Sequence, residues 1–243
     1  MQVVLVIVMP TSNQKQLEQK VNRFLEKANK SLPGMIELDL QGIYKRGIFI
    51  PRGAAPGTAK KRYALIDGKG VLTIRGLEKV RKDWSAIAKD TQEKVLNFVL
   101  KDEDVGGAVK YVKSVILKIK QKKIPLRDFV IYEQLTKPLH EYKQIGPHVA
   151  VARKIMERGR PIGAGMVVIY AITKGKGSIS ERAEPIEDVK IEQVDEEYYI
   201  SNQVVPAALR ILQVLRVTEK QLVGDGLKKF AGKRKREDFK DNS

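Results

Sequence analysis

The spacing of the apolar residues changes period along this chain, and that change constrains the fold more than any other feature. Val3–Val8 is a continuous run of Val, Leu and Ile, the pattern of a strand buried on both faces. Leu17, Val21, Phe24, Leu25 and Ala28 then recur at three and four. That spacing predicts a helix which Ser12 or Asn13 can cap and Pro33-Gly34 ends. Met35–Leu40 alternates apolar with acidic residues, predicting a half-exposed strand, and Gly47–Ile50 offers another. Pro51–Gly57 carries two Pro and two Gly, so a loop or linker is expected there. Beyond it, Arg62–Ile66 and Val71–Arg75 flank Asp67-Gly68-Lys69-Gly70, a hairpin signal.

The second half reads as mainly helical. One face carries Leu77, Val80, Trp84, Ile87, Thr91 and Val95. Another carries Ala108, Val109, Val112, Val115, Ile116 and Ile119, with Lys110, Lys113, Lys118 and Lys120 outside. Val149, Ala152, Ile155 and Met156 mark a short helix ended by Gly159, and Met166–Ile172 a buried strand. Glu196–Leu215 predicts a long helix kinked at Pro206. From Ala231 the chain is polar and expected to be disordered. The fold class is α+β, with no internal repeat.

Lys and Arg number 46 against 29 Asp and Glu, a net charge of +17, while 42% of residues are hydrophobic. Such a chain can bury a core and still attract a polyanion. Zero Cys excludes disulfides, thiol nucleophiles and Cys-based zinc sites, and two His leave little for a metal cluster. The longest apolar run, Val3 to Pro10, is too short to span a bilayer, and no basic residue precedes it as in a signal peptide. A soluble cytoplasmic protein is expected.

Position gives the charge its meaning. On a strand Lys61 and Tyr63 would share a face, a cation beside a phenol, with Lys60 and Arg62 opposite. Such a pair suits the edge of a duplex; spacing alone leaves a solvated hairpin open as the alternative. Arg75, Lys79, Arg81 and Lys82 gather at the expected start of the next helix, where free N–H groups attract anions. A third group comprises His140, Lys143, His148, Arg153, Lys154, Arg158 and Arg160. Lys174-Gly175-Lys176-Gly177-Ser178-Ile179-Ser180 adds a Gly-rich loop without the spacing of a phosphate-binding P-loop. Glu37 and Asp39 alternate and could lie near a divalent cation. No nucleophile–base pair is visible.

Two stretches carry more than pattern. Lys60-Lys61-Arg62-Tyr63-Ala64-Leu65-Ile66-Asp67, with Arg75-Gly76-Leu77-Glu78 and Arg81-Lys82-Asp83-Trp84-Ser85, resembles archaeal family B DNA polymerases. So do Tyr132–Lys143, Ile145–Ala150 and Tyr198–Pro206, in the same order, over roughly residues 3 to 230. The resemblance implies that residues 1–55 are the C-terminal part of a palm. It implies a mostly helical thumb with a small β element over 56–230, followed by a polar tail, 231–243. It also implies that Lys61 and Tyr63, a K-x-Y motif, contact primer–template near the primer end and that the basic thumb grips the product duplex. The candidate DNA-contacting set is then Lys60, Lys61, Arg62, Tyr63, Arg75, Gly76, Arg81, Lys82, Thr136, Lys137, Tyr142, Lys143, His148, Arg153, Lys174, Lys176 and Ser178.

The family's last catalytic motif, Tyr-x-Asp-Thr-Asp, would precede Val3, and no Asp stands there. The expectation is the small subunit of a split polymerase, its termini natural. A larger partner would carry the catalytic aspartates and most of the Mg2+ site, with Glu37 and Asp39 nearby. The alternative is a stand-alone, non-catalytic basic nucleic-acid-binding protein on the same scaffold. Leu227 and Phe230 keep the aliphatic–aromatic spacing of a sliding-clamp-binding segment, with Gly224 where its Gln should be.

Overall fold

The computed structural model describes residues 13–50 and 61–224. The expected strand at Val3–Val8, the loop at Pro51–Gly57, Lys60, the clamp-type pair Leu227 and Phe230 and the polar tail lie outside the described residues. Helix α1, Gln14–Ser31, opens the described chain, its first turn capped by Asn13, whose side-chain oxygen accepts from Gln16 N–H at 3.3 Å. Along its apolar stripe Phe24 is 43% exposed and Leu17, Val21, Leu25 and Ala28 are half-buried; none of the α1 residues with described side chains is fully buried.

The segment 35–40 is not a strand. The Asn29 side chain instead holds both backbone groups of Leu38, accepting from its N–H at 2.8 Å and donating to its carbonyl at 3.0 Å. An amide thus stands where a neighbouring strand would be.

Strands β1 (Tyr44–Phe49), β2 (Tyr63–Asp67) and β3 (Leu72–Arg75) form an antiparallel sheet in that order. The turn is fixed by Asp67, whose carboxylate accepts from Lys69 and Val71 N–H at 2.9 and 2.8 Å. Because β1 pairs with β2, the palm and thumb segments inferred from the resemblance share one sheet. Ile48, Ile50, Ala64 and Ile66 send that sheet's inner face into the same core as the helices.

The helix expected from Leu77 begins only at Ala86. Glu78–Val80 is a single 3-10 turn, Val80 is 55% exposed, and α2 spans Ala86–Leu100. Helix α3, Val105–Lys120, follows the expected face, burying Ala108, Val112, Val115, Ile116 and Ile119. A second antiparallel sheet joins β4 (Ile131–Gln134), β5 (Val167–Ile172) and β6 (Ala183–Pro185). Strand β5 is buried on one face only at its start, since Val167 and Ile169 stay exposed. Helix α4 runs Pro147–Glu157, with Gly159 in the left-handed region just beyond.

The long helix before the C-terminal end is interrupted where Pro206 demands it. Helix α5 (Glu196–Tyr198) passes through a π-helical segment, Tyr199–Val204, into α6 (Val205–Leu212). Pro206 has no N–H to return to the preceding turn, and the widened turn lies immediately upstream of it. Helix α7, Glu219–Val223, caps itself through Thr218 and Gln221. No helix among the described residues is long and apolar enough to cross a membrane.

Candidate nucleic-acid interface

The open end of the first sheet brings the K-x-Y region together. Tyr63 lies opposite Phe49 on β1 and Arg75 on β3, so the three side chains share the outer face. The Phe49 and Tyr63 rings stand 5.7 Å apart. Lys61 departs from the expected geometry: β2 begins at Tyr63, and Lys61 sits before it with a left-handed φ of 58°. Strand alternation therefore does not place it beside Tyr63. Arg62 also turns inward. Its Nε donates to the Gly76 carbonyl at 3.2 Å and its Nη2 to Glu78 at 2.9 Å.

The cations expected at a helix N-terminus lie upstream of it and are partly spoken for. Lys79 pairs with Glu93 at 2.6 Å and Asp90 at 3.3 Å. Burial pulls its ammonium pKa down, but the two carboxylates outweigh this and hold it above the usual lysine range. Arg81 pairs with Asp83. At the helix start itself, Ser85 N–H and hydroxyl both donate to the Gln203 side chain, at 3.0 and 3.1 Å. The residue that precedes the helix is thus bonded to protein. Arg75 and Lys82 make no ion pair among the described residues.

Between β4 and α4 the second motif does converge. The Thr136 N–H donates to the Tyr142 hydroxyl at 2.9 Å, and the Lys137 ammonium lies 4.8 Å from the Tyr142 ring centroid. Hydrogen bonding to Thr136 pulls the Tyr142 phenol below its usual pKa. His148 meets the same ring edge-on at 5.6 Å. Its Nδ1 lies 3.1 Å from Glu133 but outside hydrogen-bond geometry. Glu133 also accepts from the Tyr170 hydroxyl at 2.9 Å, and burial raises the Tyr170 pKa well above the usual range. His148 is therefore half-enclosed by aromatic and acidic neighbours, while Lys143 is exposed.

The third basic group is largely matched by acids. Lys154 binds Glu184 at 2.7 Å, and Arg158 and Arg160 pair with Asp188 and Glu187. Arg153 has no such partner among the described residues. In the Gly-rich loop, Lys174 pairs with Glu196, and Ser178 N–H donates to Glu181 at 2.6 Å. Lys176 is exposed and makes no ion pair among the described residues.

Glu37 and Asp39 are exposed and occupy irregular backbone. Among the described residues no group of three or more acidic or His side chains converges, so these two do not build a Mg2+ site by themselves. The residue that spacing did not single out is Glu78. It is 1% exposed and faces Arg62 and Arg210. Its sequence signal is its place at the end of the Arg75-Gly76-Leu77-Glu78 stretch, in the 3-10 turn just beyond β3.

A K-x-Y hairpin end, followed by a helical layer and a second small sheet, is an arrangement that sequence comparison identifies. The profile of DNA polymerase family B matches residues 5–215, and the chain belongs to that family. It is 48% identical over 206 residues to a DNA polymerase of Pyrococcus glycovorans, covering 84% of this chain and 26% of that protein. A DNA polymerase of Methanocaldococcus jannaschii is 44% identical over 214 residues, 88% of this chain and 13% of the relative. The solved family B DNA polymerase of the hyperthermophilic archaeon Pyrobaculum calidifontis superposes with a TM-score of 0.62 at 39% identity. That match covers 82% of this chain and 25% of the solved one. The chain thus spans about a quarter or less of these relatives.

Proposed function

We propose that this chain is the palm-and-thumb subunit of a two-chain DNA-directed DNA polymerase. It grips primer–template duplex while a larger partner supplies the catalytic aspartates and holds most of the Mg2+. Residues up to about 55 complete the palm, the rest to about 230 form the thumb, and Leu227 and Phe230 offer a weak sliding-clamp contact. The observation that carries the two-chain reading is the stripe on α1: Leu17, Val21, Phe24, Leu25 and Ala28, of which none is buried. An amphipathic helix draws most of its stability from covering such a face, and the remaining three quarters of the family's length is the natural cover.

The DNA-binding part of this reading predicts a steep salt dependence. If the cations without internal partners meet about 6–10 phosphates, log affinity falls against log salt with a slope near −0.9 per phosphate. Titration of a fluorescent primer–template at several salt concentrations measures it. Lys61→Ala is expected to weaken binding at a primer end about tenfold, the scale of one charge-assisted contact, with a smaller loss on blunt duplex. Tyr63→Phe is expected to act in the same direction more weakly. A flat salt response, or equal losses on both DNAs, would return these residues to a solvated hairpin.

A further inference from the structure

We propose that Glu78 is the positioning residue that fixes Lys61 and Tyr63 for contact with the primer end; the inference rests on reading that end as the primer–template contact. Glu78 is a carboxylate taken almost wholly out of water. Such burial is tolerated only with strong partners, and it has three. Arg62 Nη2 donates from β2's entrance at 2.9 Å, Arg210 Nε approaches from α6 at 3.1 Å, and Gln92 Nε2 donates from α2 at 2.7 Å. Gln92 closes the network, also donating to the Ala207 carbonyl at 2.9 Å and accepting from Lys79 N–H at 2.9 Å. One carboxylate therefore ties the hairpin to both helices behind it.

The hairpin side of this tie is held in an unusual backbone. Lys61 is a non-glycine residue at φ 58°, a conformation that persists when its surroundings dictate it. Gly76, at φ 63°, packs so closely that a Cβ there would lie 2.1 Å from the Lys61 carbonyl oxygen. Arg62 bonds the Gly76 carbonyl and Glu78 together, so the residue between Lys61 and Tyr63 is the anchor. Well-packed apolar residues would stabilise the same space at least as well as a buried ion pair. What the ion pair adds is a direction for Arg62, and hence a fixed exit for the residues on either side.

The test uses the full chain and two DNAs, a recessed-end primer–template and a blunt duplex, with affinities read by fluorescence anisotropy. Glu78→Gln is expected to weaken primer–template binding about tenfold, like Lys61→Ala, while blunt duplex binding changes little. In the double variant, Lys61→Ala with Glu78→Gln, the loss should be no greater than in either single one, because both remove the same contact. Melting curves and the emission of the single Trp84 report whether the fold survives. Should Glu78→Gln not fold, Arg62→Met leaves Glu78 paired with Arg210 and Gln92 and is read in the same way; Arg62→Lys should recover part of the loss. Affinities within about twofold of the parent for both Glu78→Gln and Arg62→Met, or losses that add in the double variant, overturn the proposal. If Lys61→Ala alone changes nothing, the hairpin end is not the contact, and both readings fall together.

Discussion

The purified chain, given primer–template, all four deoxynucleotides and Mg2+, is expected to extend no primer above background. Phosphoryl transfer is catalysed almost entirely by positioning and by electrostatic stabilisation of the transferred group. Losing a single direct stabiliser typically costs about 10²–10³ in rate. The first acidic residue in this sequence is Glu18, and the described residues bring no three acidic or His groups together. On the two-chain reading proposed above, adding a larger family B chain that carries Tyr-x-Asp-Thr-Asp should raise incorporation by more than ~10³. Within that assembly, Glu37→Gln or Asp39→Asn should lower the rate by well under this factor, since both side chains are exposed and neither meets a third ligand among the described residues. Primer extension on a sequencing gel reads both results. Efficient extension by this chain alone would end the two-chain reading; complete inactivation by Glu37→Gln would make Glu37 a direct metal ligand.

The stripe on α1 bears on the same experiment. A single exposed Phe24 would be unremarkable on any surface, but here Leu17, Val21, Leu25 and Ala28 lie only half-buried on the same face of an 18-residue helix. Alone, the chain should self-associate as its concentration rises, and on the two-chain reading a larger family B chain should suppress that. Light scattering with and without the partner distinguishes a covered face from a merely tolerated one.

What the sequence disclosed depended on whether the interaction was local. The cap at Asn13, the Asp67 turn and the buried face of α3 are written within a few residues of one another, and each is found where periodicity places it. The alternation at 35–40 was misleading because a strand needs a neighbour. Asn29, nine residues upstream, took the Leu38 backbone instead. Strand β4 went unread because Ile131-Tyr132-Glu133-Gln134 has only two apolar residues, and its pairing with β5 lies more than thirty residues away. The helix expected from Leu77 failed because three-and-four spacing also fits a 3-10 turn followed by a separate helix start, and Ser85 before that start is tied to Gln203, far along the chain.

The site shows the same division. The residue types of a polyanion-binding surface were legible, but which cations remain available was not. Lys79, Arg81, Lys154, Arg158, Arg160 and Lys174 meet acids contributed mostly by other elements. Arg62 looked like a surface cation beside Lys61 and is an internal strut, because its partner, Glu78, lies sixteen residues on. Charge counts do not distinguish a solvated cation from a paired one; only the fold does.

The largest loss of stability is expected from the aromatic contact behind these elements. Phe129 is 2% exposed and meets the fully buried Tyr199 edge-on, with ring centroids 4.8 Å apart. The Tyr199 hydroxyl accepts the Ile172 N–H at 3.0 Å, and burial raises its pKa well beyond the usual range, so it stays neutral. One contact thus joins the turn before β4, the end of β5 and the π-helical segment. Phe129→Ala removes a large side chain from a site already filled on every side, a change worth about 3–5 kcal/mol. For a chain of this size that corresponds to a fall in Tm of roughly 6–20 °C. Tyr199→Phe keeps the ring and strands only one buried N–H, costing about 1–3 kcal/mol. Breaking the exposed Lys174–Glu196 pair should cost under ~1 kcal/mol. The order of these three losses in thermal melts is the check. If Tyr199→Phe proves as damaging as Phe129→Ala, the hydrogen bond to β5, and not the ring packing, holds the two layers together.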